Sequence, residues 1–100
     1  MVTVFITYRL KPGVTREEYN AWSVETDQPT ASRQPGVHRY EIFEVPEGDD
    51  APWDYAEVID ADSREAWEKV NGYPEMQPVA ARFFELCDRD SVQVAYTTKV

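Results

Sequence analysis

The sequence has little of several features that often identify a function. Among its 100 residues are one cysteine, one histidine and four glycines. A single thiol, Cys87, cannot form an internal disulfide, and one thiol with one histidine cannot complete a Cys/His zinc site. The sequence also has no glycine-rich fingerprint of the kind that binds nucleotides, nicotinamides or flavins. We therefore expect neither a metal nor a cofactor.

Basic residues are also scarce, since 10 Lys and Arg stand against 19 Asp and Glu and give a formal net charge of -9. Phosphate backbones and anionic lipids repel such a chain, so neither nucleic acid nor a membrane is an expected partner. The apolar runs are short, and the chain opens on a strand pattern rather than on a basic segment followed by an apolar one. These features predict a cytoplasmic location.

What the chain does contain is enough apolar material for one core, with 42% hydrophobic and 13% aromatic residues. A chain of this length buries roughly 65% of its unfolded surface, and we expect residues 1–100 to form a single domain. Runs of β-branched and aromatic residues between turn signals predict four strands. These strands are Val2–Leu10, Val37–Val45, Trp53–Asp60 and Val92–Lys99.

Helix signals occupy the segments between the strands. Thr15 with Glu18 forms a capping box that predicts a helix start, and Pro29 predicts its end or a kink. Asp62 with Glu65 predicts a second start, and a further helix should reach about Cys87. Apolar residues at three- and four-residue spacing support this last helix, namely Met76, Val79, Ala80, Phe83 and Phe84.

The resulting order, β-α-β-β-α-β with the second helical section in two pieces, predicts an α+β fold. It is the pattern of a ferredoxin-like antiparallel sheet with its helices on one face. Strand alternation assigns even-numbered residues to the helix side, among them Val4, Ile6, Tyr8, His38, Tyr40, Ile42, Ala56, Val58, Val92, Val94 and Tyr96. It assigns to the open face Thr3, Phe5, Thr7, Phe43, Val45, Trp53, Tyr55, Ala95 and Thr97.

That open face is too aromatic to be left in water. The simplest cover is a second copy of the same chain, packed sheet against sheet about a two-fold axis. We therefore predict a homodimer through the open sheet face.

Three segments resemble a known family: Pro35–Val45, the opening stretch Val4–Gly13, and the helix that carries Tyr19 and Trp22. Together they are similar to the REDY-like family of the dimeric α+β barrel superfamily, and the similarity spans nearly the whole chain. The resemblance implies a role in biosynthesis of prodigiosin-type tripyrrole pigments, in making or handling the bipyrrole half. The family offers no motif of catalytic residues to carry over.

His38 is the only histidine and hence the natural general acid or base near neutral pH. Alternation places it beside three tyrosines on the helix side, where a cavity could hold a planar heteroaromatic ligand. The predicted ligand-binding residues are Tyr8, Trp22, His38, Tyr40, Trp67, Phe83 and Tyr96. The alternative is a plain core, in which the tyrosines reach solvent and His38 satisfies a backbone carbonyl.

Three functions are compatible with these features, and the sequence leaves open whether the chain is an enzyme. The first is an accessory protein or small enzyme that binds a bipyrrole-like aromatic intermediate. The second is a cofactor-independent monooxygenase or cyclase-like enzyme with His38 as base. The third is a non-catalytic interaction module or chaperone-like partner of other pathway enzymes, acting through the hairpin from Glu41 to Asp62, which has nine acidic residues and no basic ones.

Overall fold

Alternating β-branched and aromatic residues form one four-stranded sheet in the computed structural model, which describes residues 1–100. Its strands are β1 (Val2–Tyr8), β2 (Val37–Glu44), β3 (Tyr55–Ala61) and β4 (Gln93–Thr97). They lie in the order β2-β3-β1-β4, and every neighbouring pair is antiparallel. The predicted ferredoxin-like α+β fold is confirmed.

The helices cover one face of this sheet. They are α1 (Arg16–Trp22), a π-helical turn (Ser23–Asp27), α2 (Gln28–Ser32), α3 (Arg64–Val70) and α4 (Gln77–Leu86). A short 3-10 turn at Arg89–Ser91 leads into β4. None of the helices is both long enough and apolar enough to cross a bilayer.

Capping side chains fix where the helices begin. The Thr15 hydroxyl accepts a hydrogen bond from the Glu18 backbone N–H at 3.1 Å, which confirms the predicted start of α1. The predicted cap at Asp62 is wrong by one residue, because Ser63 accepts the bond from the Ala66 N–H instead. The carboxylate of Asp62 is hydrogen-bonded to another part of the chain.

The core lies between the helices and the sheet. Val4 and Ile59 from neighbouring strands are fully buried, and Tyr19, Val70 and Leu86 pack over them from three helices. The periodic apolar stripe predicted for the last helix faces this core through Val79 and Leu86, and Pro78 occupies the first turn, where its missing N–H leaves no bond unmade.

The facing of β3 differs from the prediction. Its odd-numbered residues point to the helices, so Tyr55 is 1% exposed, whereas Ala56 and Val58 lie on the open face. The cause is the hairpin, because the ten residues between Glu44 and Tyr55 make those two residues cross-strand partners on the same face. An even-length connection between paired strands reverses the parity of the second strand.

A β-bulge alters the facing of β2 in the same way. The pairing register shifts between Val37 and Arg39, so one extra residue, His38, enters the strand. Val37 and Tyr40 consequently both face the helices, while His38 is exposed and hydrogen-bonds Asp62 through Nε2. The prediction that His38 faces the helices is wrong.

All four predicted strands extend too far. The second ends at Glu44, and the fourth runs only from Gln93 to Thr97. The first ends at Tyr8, and Leu10 makes only an isolated bridge to Cys87. The third begins at Tyr55 rather than at Trp53, since the Asp54 N–H bonds the Tyr8 carbonyl outside the ladder.

Because Leu86 is 2% exposed and Val24 is 65% exposed, the two sites should respond differently to truncation. We expect Leu86→Ala to lower the free energy of unfolding by about 2 to 5 kcal/mol, and Val24→Ala to change it by no more than about 0.5 kcal/mol. Urea unfolding followed by circular dichroism measures both. Equal losses would contradict the core described above.

Candidate functional site

A cavity of about 290 Å³ lies between the sheet and helices α3 and α4. Its walls are mainly apolar, and five aromatic side chains contribute to them. The lining includes Ile6, Tyr40, Trp67, Met76, Val79, Ala80, Phe83, Phe84, Val92, Val94 and Tyr96. The polar lining residues are Asp27, Glu57, Glu68 and Asn71, and no lysine, arginine or histidine is among them.

Four of the predicted ligand-binding residues meet in this cavity, namely Tyr40, Trp67, Phe83 and Tyr96. Two others lie behind its wall. Tyr8 is fully buried, with its ring edge against Phe83 at a centroid distance of 4.8 Å, and Trp22 packs beside Tyr19. His38 lies outside the cavity on the exposed bulge, so the structure does not join it to the other six.

The π-helical turn brings an acidic residue into the cavity. Within Ser23–Asp27 the helix is widened, and the Gln28 N–H bonds the Ser23 carbonyl five residues back. Pro29 follows directly and has no N–H to bond the carbonyl of Glu25, which removes one bond of the regular α-helical ladder. Asp27 is left 2% exposed and lines the cavity, in agreement with the frequent occurrence of π-turns at functional sites.

A second acidic residue reaches the cavity from the sheet. Glu57 lies in the middle of β3 on the helix side, paired with Ile6 of β1, and is 3% exposed. The Tyr40 hydroxyl stands between the two acids, 3.0 Å from Glu57 Oε1 and 3.3 Å from each carboxyl oxygen of Asp27. Three chain segments therefore meet at one phenol oxygen.

The Tyr40 hydroxyl has too few hydrogens to donate to both carboxylates if both are ionised. A tyrosine hydroxyl has one hydrogen to donate, so it can satisfy one of the two acids and must accept from the other. Both contacts are hydrogen bonds only if one carboxyl is protonated. The cluster Asp27–Tyr40–Glu57 is then a chain of acid and phenol that carries one negative charge.

Burial acts on both acids in the same direction. It raises the pKa of Glu57, and the neighbouring charge of Asp27 raises it further, while the Tyr8 and Tyr40 hydroxyls oppose the rise. Burial likewise raises the pKa of Asp27 against the opposing hydrogen bond from Tyr40. Of the two phenols near Glu57, Tyr40 makes the hydrogen bond to its carboxyl, whereas the Tyr8 hydroxyl is hydrogen-bonded to the Tyr19 hydroxyl.

Sequence reasoning missed both acids. Glu57 could have been found as the one charged side chain between Tyr55 and Ile59 on an otherwise apolar strand face, but the parity of β3 was assigned in reverse. Asp27 precedes Gln28-Pro29 and reads as part of a helix end, and no local signal places its side chain inward.

Known structures share this architecture. The chain is similar to HapK from Hahella chejuensis, with a TM-score of 0.85 and 20% identity over 100% of this chain and 93% of that one. It is similar to a dimeric ferredoxin-like protein from Thermobifida fusca, with a TM-score of 0.78, 12% identity, and 98% and 90% of the two chains covered. It also resembles SnoaB, a cofactor-independent oxygenase from Streptomyces nogalater, with a TM-score of 0.73, 17% identity, and 98% and 91% covered.

These likenesses define the class of fold, which is ferredoxin-like. A family model described as the REDY-like protein HapK matches residues 2–100. The chain therefore belongs to the REDY-like HapK family, which confirms the resemblance found in the sequence. No protein of curated function matches the chain.

The buried acids should make stability depend on pH. Both have folded-state pKa values above their unfolded values of about 4, so the unfolded chain loses its protons first as pH rises. Stability is then full below about pH 4 for these groups and falls as pH rises toward their folded values, by at most about 1.4 kcal/mol per pH unit for each acid. We expect Glu57→Gln to flatten this decline.

Melting temperatures measured from pH 5 to pH 9 test whether stability falls as pH rises and whether Glu57 causes the fall. The matched control is Glu47→Gln, which removes one charge from an exposed position and should keep the wild-type slope. A wild-type melting temperature that does not fall over this range, or an equal slope in Glu57→Gln, would contradict the buried acid chain.

Proposed function

We propose that this protein binds a small planar aromatic molecule of the bipyrrole class in the cavity, as a participant in prodigiosin-type pigment biosynthesis. The observation that carries the proposal is an apolar cavity walled by aromatic rings with a buried acid chain at one side. Membership of the REDY-like HapK family supports the pathway assignment. The cytoplasmic location expected from the sequence belongs to this proposal and stays a prediction.

The size and chemistry of the cavity favour such a ligand. Its volume of about 290 Å³ lies at the lower end of small-molecule sites, which span roughly 300 to 1,000 Å³. Trp67, Phe83 and Tyr96 can contact the faces and edges of flat rings, and such aromatic contacts favour offset or edge-to-face geometry. A long or strongly anionic ligand would fit neither the volume nor the acids.

A second candidate function is cofactor-independent acid–base catalysis on such a ring. The specific observation in its favour is the acid chain, which holds a proton and an ionised carboxyl beside the same cavity. SnoaB, of the same fold, is described as a cofactor-independent oxygenase. In this candidate Glu57 replaces His38 as the expected base, because His38 lies on the exposed bulge.

We also propose that a second copy of the chain covers the open sheet face. That face exposes Phe5 and Phe43, at 42% and 50%, with Val58 paired beside Phe5. Sheet-on-sheet packing would remove these side chains from water. The related protein from Thermobifida fusca is described as dimeric.

Filling the cavity should weaken ligand binding. Ala80 lines the cavity and its neighbour Ala81 is exposed on the same helix, so the pair provides a matched test. We expect 2,2′-bipyrrole-5-carbaldehyde to quench tryptophan fluorescence saturably in wild type and in Ala81→Phe, and to bind Ala80→Phe at least about tenfold more weakly. Absence of saturable binding to wild type, or equal binding by both variants, would contradict the proposed site.

A charge on the open face should disrupt the dimer. We expect light scattering to give twice the chain mass of 11.6 kDa for wild type and a monomer mass for Phe43→Asp. Val24→Asp adds the same charge at a site 65% exposed on the helix side and should leave the dimer intact. A monomeric wild type at micromolar concentration would contradict the proposal.

A further inference from the structure

We infer that the cavity selects aromatic ligands that carry a ring N–H donor, which it recognises through the free carboxyl oxygen of Glu57. This inference rests on the proposed function and specifies the chemical class that the site accepts. It follows from the geometry of Glu57, from the composition of the lining and from the number of available protons.

Glu57 presents one unused acceptor. Its Oε1 accepts the shorter of the Tyr40 contacts, at 3.0 Å, so Tyr40 accepts the proton of Asp27 and Glu57 is the ionised acid of the pair. Its Oε2 makes no hydrogen bond. Every fully buried polar side-chain atom in the structure has a hydrogen-bond partner, so Oε2 must border open space. Glu57 is 3% exposed to solvent and lines the cavity, and the open space beside this oxygen is therefore the cavity itself.

No side chain of the lining donates a hydrogen bond to this oxygen. No basic side chain borders the cavity, and the one hydrogen of the Tyr40 hydroxyl is donated to Oε1 of Glu57. The apolar walls lower the local dielectric, and an acceptor without a donor is costly there. A ligand that brings its own donor removes this cost, whereas an isostere without one leaves it in place.

The aromatic walls restrict how that donor can be presented. A flat ring that stacks on Trp67, Phe83 or Tyr96 has its edge free, and a ring N–H lies in the plane of the ring. Such a ring can therefore stack on the wall and donate to Glu57 Oε2 at the same time. Bipyrroles have two such N–H groups.

Two probes of similar shape distinguish the contribution of the N–H donor to binding from that of the ring shape. 2,2′-Bipyrrole-5-carbaldehyde has ring N–H groups, and 2,2′-bithiophene-5-carbaldehyde has a similar flat shape without any. We expect wild type to bind the bipyrrole at least about tenfold more tightly than the bithiophene, as measured by tryptophan fluorescence or calorimetry. This comparison requires no variant and so does not depend on the folding of one.

The variant Glu57→Met assigns the preference to this residue. It removes the acceptor and keeps an unbranched side chain of similar length, while Tyr40 can still bond Asp27. We expect the preference for bipyrrole to fall to about threefold or less, mainly because bipyrrole binds more weakly. The control Glu65→Met replaces an exposed glutamate of α3 that is not part of the lining, and should keep the preference.

The outcomes distinguish the inference from the function on which it rests. If neither probe binds wild type, the proposed function is overturned and the inference with it. If both probes bind wild type equally, or if Glu57→Met keeps the tenfold preference, the inference is overturned and the aromatic-binding function stands.

Discussion

The Tyr40 hydroxyl stands between two buried carboxyls but has only one hydrogen to donate, and the organisation of the cavity depends on this limit. Tyr40 can donate to Glu57 or to Asp27 but not to both, so the structure is satisfied only when one acid keeps its own proton. Two ionised acids around a phenol would place two negative charges in apolar surroundings with no cation in the lining. The shared proton therefore allows an acidic site to exist inside a small core.

The fold assembles this group from three chain segments. Strand alternation turns Tyr40 inward, the hairpin register turns Glu57 inward, and the π-helical turn before Pro29 turns Asp27 inward. Neither the hairpin register nor the π-helical turn disturbs the sheet order or the core packed around Ile59. Ile6, Tyr40 and Val79 belong to this core and also line the cavity, so the site and the stability of the fold depend in part on the same residues.

The hairpin register also bears on how much of the protein could be predicted. The capping box at Thr15, the apolar stripe of the last helix and the order of elements depend on residues close in sequence, and these predictions are confirmed. The cavity walls Tyr40, Trp67, Phe83 and Tyr96 were also found, because they are aromatic residues on correctly assigned faces. Which side of the sheet the β3 side chains face depends on hairpin length and cross-strand register, which no local pattern encodes. Because this facing was assigned in reverse, Glu57 was missed. The bulge likewise made the sole histidine a misleading candidate.

The central claim is that the acid chain still holds a proton near pH 6. Titration of the side-chain carboxyl carbons by NMR tests it most directly, with Glu57→Gln and Asp27→Asn used to assign the two resonances. The account predicts that one carboxyl of this pair still carries its proton near pH 6, where exposed acids, whose pKa values lie near about 4, are fully ionised. Ionisation of both carboxyls below about pH 5 would contradict it.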